Sequence, residues 1–318
     1  MKKLKMTMRI PVAFGLFAAL FSLGDAAEPQ KAARPNVIFV LCDDLGPGDL
    51  GVLWQNGRKG KQKFSTPNMD QFAKEGMILS RHYCPAPSCM ASRSSLMTGR
   101  HQGHCARRNT QFDAEIPDVH TLGSVMSKAG YATAAIGKWG MAGGPHQLSI
   151  KPVRGDRSPK TNPSHPTLRG FDYFYGYTAH RDAHYHYPKL GNRPLYDGFV
   201  DVTDRLAKCY STDLLTARAK KWIADHQKAH PKKPFFTYLC YTAPHSGLRI
   251  PTTSHLTSRS NYPKGGGLNG GVQWLADAAN GQINTAKGAI DKGMHPEVAR
   301  AVGDDGQPWP DHARRHAT

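Results

Sequence analysis

Cys89 opens the stretch C-M-A-S-R-S-S-L-M-T-G-R, which runs to Arg100. Residues Ser92 to Thr98 read as a helix whose first turn lies just after the cysteine. Free backbone N–H groups at such a helix start, with the guanidinium of Arg93 one turn further on, favour negative charge. On these residues alone, Cys89 is an activated thiol beside an anion site. A buried or disulfide-bonded cysteine accounts for them equally well.

Four more groups have the chemistry of a site. Asp43 and Asp44 are adjacent carboxylates at the end of an apolar run. They can supply hard oxygen ligands to Ca²⁺ or Mg²⁺, or form a solvated turn. Lys138, in A-I-G-K-W-G (Ala135 to Gly140), follows an apolar segment, where a lone lysine is ordinarily solvated. His245 closes F-F-T-Y-L-C-Y-T-A-P-H, and an imidazole at a strand end is placed to exchange a proton near neutral pH. The segment H-R-D-A-H-Y-H-Y-P (His180 to Pro188) fits a pocket lining or a wet surface loop.

These residues need elements to hold them. N-V-I-F-V-L (Asn36 to Leu41) is nearly continuous apolar sequence, which suits a strand covered on both faces in the middle of an α/β sheet. Thr66-Pro67 before M-D-Q-F-A-K-E and Gly76 predicts a short helix with an N-cap, a proline at its first position, an apolar stripe (Met69, Phe72, Ala73) and a glycine stop. Met77 to Tyr83 reads as a strand, Val119 to Lys128 as a helix stopped by Gly130, and Y-A-T-A-A-I up to Gly137 as a strand. Residues 143 to 210 are rich in Gly, Pro, His and Tyr, with a clear pattern only around G-F-D-Y-F-Y-G-Y (Gly170 to Tyr177). A helix capped by Ser211 or Thr212 and running to about His226 follows, then a buried strand from Pro234 to Tyr241. The alternation is βαβα, an α/β domain.

The Cys89 stretch, a cysteine four residues before an arginine and then Leu-x-Thr-Gly-Arg, resembles the signature of the type I sulfatases of the alkaline phosphatase superfamily. P-N-V-I-F-V-L-C-D-D-L-G-P-G-D-L-G (Pro35 to Gly51), A-I-G-K-W-G and F-F-T-Y-L-C-Y-T-A-P-H-S-G-L resemble further pieces of that family. The resemblance implies a mostly parallel central sheet flanked by helices, and oxidation of Cys89 to formylglycine by a formylglycine-generating maturation enzyme. It makes Asp43, Asp44 and the converted Cys89 ligands of Ca²⁺ or Mg²⁺. It makes Cys89, Arg93, Lys138 and His245 catalytic, with Lys138 and His245 also on the substrate. The implied reaction is hydrolysis of an aryl or carbohydrate sulfate ester: one hydroxyl of the hydrated aldehyde attacks sulfur, and the other expels sulfate from the covalent sulfated enzyme.

The chain departs from the family pattern at three places. Ala91 stands where the maturation signal usually has proline. Gly140 stands where many members have a histidine two residues after the lysine, and His184 is the replacement chosen from the His180 to Pro188 segment. The family's later Asp-Asn-Gly strand end is missing, and Gly303-Asp304-Asp305-Gly306 reads as a loop. The expected organisation is a signal peptide over 1–26, the N-terminal part of a sulfatase catalytic domain over 35–250, and a Gly-rich loop with an incomplete segment over 251–318. Truncation of a longer enzyme is the simplest account. A phosphate mono- or diester hydrolase of the same superfamily and an inactive remnant stay open as alternatives.

The 318 residues carry 42 Lys and Arg against 24 Asp and Glu, a net charge of +18 that favours anionic partners. The basic residues are scattered, without zinc-finger, RNP-like or basic heptad spacing, so nucleic acid is not the expected partner; a sulfated small molecule or polysaccharide is. Lys2, Lys3, Lys5 and Arg9 precede an apolar run from Ile10 to Leu23 and small residues at Gly24, Ala26 and Ala27. This is a signal-peptide pattern, cleaved after Ala26, with no later segment expected to span a bilayer. Export to the periplasm or beyond puts the six cysteines where disulfides can form, although their spacing is not that of a stapled scaffold.

Overall fold

The computed structural model describes residues 34–60, 65–109, 113–143, 161–184, 188, 192–206, 211–245 and 307. Of the two compact units, Met1–Arg34 and Pro35–Thr318, the described residues fall almost wholly in the second. The expected signal peptide and the Gly303–Gly306 loop lie outside the described residues, as does nearly all of the expected 251–318 segment. No helix among the described residues is long and apolar enough to cross a membrane.

Six strands form one sheet: β1 (Val37–Cys42), β2 (Ala132–Lys138), β3 (Tyr173–Tyr177), β4 (Tyr196–Asp197), β5 (Val200–Asp201) and β6 (Phe235–Tyr241). Their order is β1-β6-β2-β3-β4-β5. The pairings β1 with β6, β6 with β2, and β2 with β3 are parallel, and β3-β4 and β4-β5 are antiparallel. Four helices accompany it: α1 (Pro67–Glu75), α2 (Cys89–Thr98), α3 (Leu122–Lys128) and α4 (Ser211–Ala229).

Strand alternation sends side chains of β2 and β6 to two cores. Ala134, Ile136, Tyr175, Tyr177 and Leu239 pack with Leu214 and Leu215 of α4 on one face. Ala135, Phe174, Phe236 and Tyr238 pack with Met90 and Met97 of α2 on the other, where Leu122 and Met126 of α3 also lie. Full burial of side chains such as Leu214 and Leu215 stabilises the fold by about 1.5–3 kcal/mol each. Local signals agree with this packing. Thr121 accepts from the Ser124 N–H at 3.1 Å while the Ser124 hydroxyl caps the Thr121 N–H at 2.9 Å, which starts α3. Gly99, at φ 64°, ends α2 in the left-handed conformation that glycine adopts without strain.

Three expectations are corrected. Among the described residues β1 is an edge strand rather than a central one, so Ile38 and Val40 are 52% and 51% exposed. Met77 to Tyr83 forms no strand; Met77, Leu79 and Tyr83 are exposed, and the described sheet contains no partner for the segment. The apolar stripe of α1 is also exposed at Met69 and Phe72. Polar contacts hold α1 instead: Gly51 N–H donates to the Thr66 hydroxyl at 2.7 Å and Val52 N–H to the Asp70 carboxylate at 3.0 Å.

Candidate active site

The parallel strands bring their C-terminal ends to one edge. Cys42 is in register with Tyr241, Gly137 with both Cys240 and Gly176, and Lys138 with Tyr177. The glycines at 137 and 176 make this crowding possible. Gly137 has φ 110°, and a Cβ built there would run into the carbonyl oxygen of Cys240. A Cβ at Gly176 would meet the Gly137 carbonyl in the same way. The residues that leave these strand ends are Asp43, Lys138, Thr178 to His184, and Thr242 to His245.

Cys89 is the first residue of α2, half-buried, with Ser88 in extended conformation before it. The helix therefore begins at the cysteine itself rather than just after it. One turn on, Arg93 is buried; its Nη1 donates to the Lys138 carbonyl at 2.9 Å and its Nη2 lies 3.4 Å from Asp43 Oδ1. Lys138 is 1% exposed, and its Nζ donates to Asp43 Oδ2 and lies 2.9 Å from His184 Nε2. Trp139 anchors the lysine by burying its ring and donating from Nε1 to the Ser164 carbonyl at 2.9 Å. Asp43 is buried, Asp44 is exposed at φ 65°, and His245 Nε2 lies 3.5 Å from Asp44 Oδ2. The rings of His184 and His245 stack at 3.6 Å.

Charge and burial compete here. Burial pushes the Asp43 carboxyl up, but Lys138 and Arg93 outweigh it and bring the pKa down to about 2. Burial lowers the pKa of Lys138, with Arg93 acting the same way and Asp43 opposing. For Cys89 burial wins: the thiol pKa is raised, with Asp43 adding to the rise and Lys138 and Arg93 only partly offsetting it. Of the two readings left open for Cys89, a thiol activated at the helix start or a buried one, burial outweighs the helix start and Arg93.

The structure brings together Asp43, Asp44, Cys89, Arg93, Lys138, His184 and His245, all the site residues expected from sequence. It adds His180, whose Nδ1 lies 3.4 Å from the Cys89 sulfur. Sequence reasoning chose His184 from the His180 to Pro188 segment, and the structure places both His184 and His180 at the site. The available signal was the bare Gly140, which leaves a space that a neighbouring residue must fill. Asp113, buried, positions His180 by accepting its main-chain N–H. Nothing in the sequence around Asp113 marks that role.

Ligand atoms of Asp43, His184 and His245 all lie within 4.8 Å of one another, which fits a divalent cation. One carboxylate and two imidazoles form a mixed donor set, while Asp44 adds a second carboxylate beside His245. The five described cysteines other than Cys209 are free thiols, and Cys209 lies outside the described residues.

The Sulfatase family model matches residues 35–278, and the chain belongs to the sulfatase family. Arylsulfatase J of Mus musculus is 33% identical over 235 residues, covering 71% of this chain and 35% of the relative. Arylsulfatase G of Homo sapiens is 27% identical over 307 residues, covering 88% of this chain and 52% of the relative. The chain thus spans about a third to a half of the length of these curated relatives. Among solved structures, Ps i-CgsB superposes with TM-score 0.50 at 26% identity, over 80% of this chain and 53% of the other. The Bacteroides thetaiotaomicron protein BT33336S-sulf shares the fold, with TM-score 0.51 at 21% identity over 68% and 52% of the two chains. The six-stranded α/β sheet is the fold shared with these solved proteins.

Proposed function

We propose that this chain carries the catalytic half-site of a sulfuric ester hydrolase that acts on an aryl or carbohydrate sulfate, with residue 89 converted to formylglycine. The observation that carries the reading is the convergence of two buried cations, Arg93 and Lys138, with Asp43 at the helix start that bears Cys89. Buried cations beside a helix N-terminus suit a tetrahedral oxyanion such as a sulfuryl group. A thiol whose pKa is raised is a weak nucleophile as it stands, which favours a residue modified before use.

The hydrated aldehyde supplies an oxygen nucleophile where the sulfur of Cys89 now stands. Lys138 and Arg93 offset the charge on the sulfuryl oxygens, and Arg93 also fixes the Lys138 main chain through its carbonyl. His245 stands near the leaving-group oxygen to supply a proton. Asp43 and Asp44 would hold Ca²⁺, with Mg²⁺ as the alternative, and the ion would supply Lewis-acid polarisation. The substrate is a sulfated small molecule or polysaccharide, and supporting it are curated relatives such as the N-acetylgalactosamine-6-sulfatase of Sus scrofa, 29% identical over 245 residues. The maturation enzyme and export by a signal peptide over residues 1–26 belong to the same reading, as do the catalytic segment 35–250 and the segment 251–318.

The test is mass spectrometry of the residue-89 peptide from the native host, paired with turnover of a nitrophenyl sulfate and the matching nitrophenyl phosphate. Formylglycine and preference for the sulfate are expected. An unmodified thiol in all molecules, or preference for the phosphate, would overturn the proposal.

A further inference from the structure

We infer that His180 is the hydrogen-bonding partner of the residue-89 side chain, and that it takes the place left empty by the missing side chain at Gly140. This rests on the proposed reading of residue 89 as the nucleophile.

Two described histidines of the His180 to Pro188 segment compete for the role, and geometry separates them. His184 is engaged elsewhere, 2.9 Å from the Lys138 ammonium and stacked on His245. His180 places Nδ1 3.4 Å and Nε2 3.5 Å from the Cys89 sulfur, within the range of a hydrogen bond to sulfur. Its ring is edge-on to His184 at 4.6 Å, and the residue is 5% exposed. The Cys89 sulfur marks the end of the side chain at which the oxygens of the converted residue project. An imidazole that touches the sulfur is therefore in reach of those oxygens.

Gly140 explains why His180 fits. β2 and β3 are neighbours, and their extensions stay paired: Trp139 N–H donates to Tyr177 O at 2.9 Å and Gly140 N–H to Thr178 O at 3.2 Å. A Cβ built on Gly140 would lie 3.6 Å from both Cα and Cβ of His180 and 3.7 Å from its Nδ1. That is ordinary contact for a Cβ, and all three of the nearest atoms belong to His180. In this chain β3 delivers the ring and β2 ends in a glycine at φ 71°. Asp113 fixes the delivering backbone by accepting the His180 N–H, itself buried at φ 59°.

The experiment uses the 318-residue protein in both forms, with Cys89 as thiol and as formylglycine. In the thiol form, iodoacetamide labelling is followed peptide by peptide, and protection of buried Cys105 and Cys240 reports that each variant is folded. His180→Phe keeps the ring volume and removes both nitrogens; His180→Leu is the second variant if the first does not fold. Loss of the imidazole that touches the sulfur is expected to change the labelling rate of Cys89 about tenfold, the worth of one hydrogen bond, with exposed Cys84 unchanged. Moving the ring, in Gly140→His with His180→Gly, is expected to return the labelling rate toward wild type relative to His180→Gly alone; histidine is among the residues that tolerate positive φ. In the converted form, His180→Phe is expected to lower kcat by about 10²-fold with KM little changed. Wild-type labelling rates in a folded His180→Phe protein, or no recovery in the double variant, would sink the inference. Absence of sulfatase turnover in the wild type would instead count against the function proposed above, because the thiol labelling does not depend on it.

Discussion

Lys138 reaches across β6 to donate from Nζ to Oδ2 of Asp43, although β2 and β1, the strands that carry them, do not pair. The second carboxylate oxygen faces Arg93 Nη2 at 3.4 Å. Each oxygen of one buried carboxylate thus has its own cation, and this cluster ties both core faces of the sheet to the start of α2.

Removing one of those cations leaves charge that burial makes costly. Lys138→Met is expected to destabilise the fold by about 3 kcal/mol, the lower end for a broken buried pair because Arg93 remains. Urea denaturation at neutral pH checks this, and a loss below about 1 kcal/mol would show that Arg93 alone satisfies Asp43. Turnover of a sulfate ester is expected to fall by at least about 10²-fold in the same variant.

Asp43 also sets a pH signature. Its folded pKa of about 2 lies below the ordinary value of 3.8, so it contributes stability above the unfolded value and loses it as pH falls through the folded one. The contribution is about 2 kcal/mol at neutral pH, disappearing between about pH 4 and pH 2. The wild-type-minus-Asp43→Asn difference in unfolding free energy is expected to shrink across that window. A difference that stays flat from pH 5 to pH 2 would mean that Asp43 is not held down.

Ca²⁺ is expected to raise the melting temperature by mass action, with about 2.7 kcal/mol gained at a hundredfold excess over Kd. Asp43→Asn and Asp44→Asn are expected to abolish the shift. Calorimetric titration with Ca²⁺, Mg²⁺ and Zn²⁺ separates the oxygen donors from the imidazoles: His184→Ala and His245→Ala are expected to weaken Zn²⁺ more than Ca²⁺. A Ca²⁺ shift that survives both aspartate variants would place the ion elsewhere.

Gly137 carries the strand end that aims Lys138. Gly137→Ala puts a methyl against the Cys240 carbonyl in a backbone of φ 110°, and is expected to cost about 3 kcal/mol from strain and overpacking together. Ala135→Gly, in the same strand and without such a clash, is expected to cost about 1 kcal/mol. Thermal melts of the two variants compare them directly. Equal losses would show that β2 and β6 can part without harm at this end.

Much of the architecture was legible from periodicity. Continuous apolar runs located β1, β2 and β6, and cap and stop residues located α1, α3 and α4 to within a few positions. The errors share one cause. An apolar run reports that a segment prefers burial, but neighbours decide whether burial happens, so β1 lies at an edge with Ile38 and Val40 open and Met77 to Tyr83 stays out of the sheet. The thiol of Cys89 follows the same rule: helix start and arginine were readable, while the burial that outweighs them was not.

By itself the sequence determined which residue types stand in the site, because motif spacing around Cys89, Asp43, Lys138 and His245 is a property of the chain. The resemblance to the sulfatases also marked Gly140 as a position where many members have a histidine. Only the tertiary structure set His180 against both Gly140 and the Cys89 sulfur. The parallel order β1-β6-β2-β3 brings four strand ends to one edge, and the space above Gly140 is filled from the adjoining β3 extension by His180 rather than by His184. Contact between residues 91 positions apart, as for Cys89 and His180, depends on strand order and register, which local spacing does not encode.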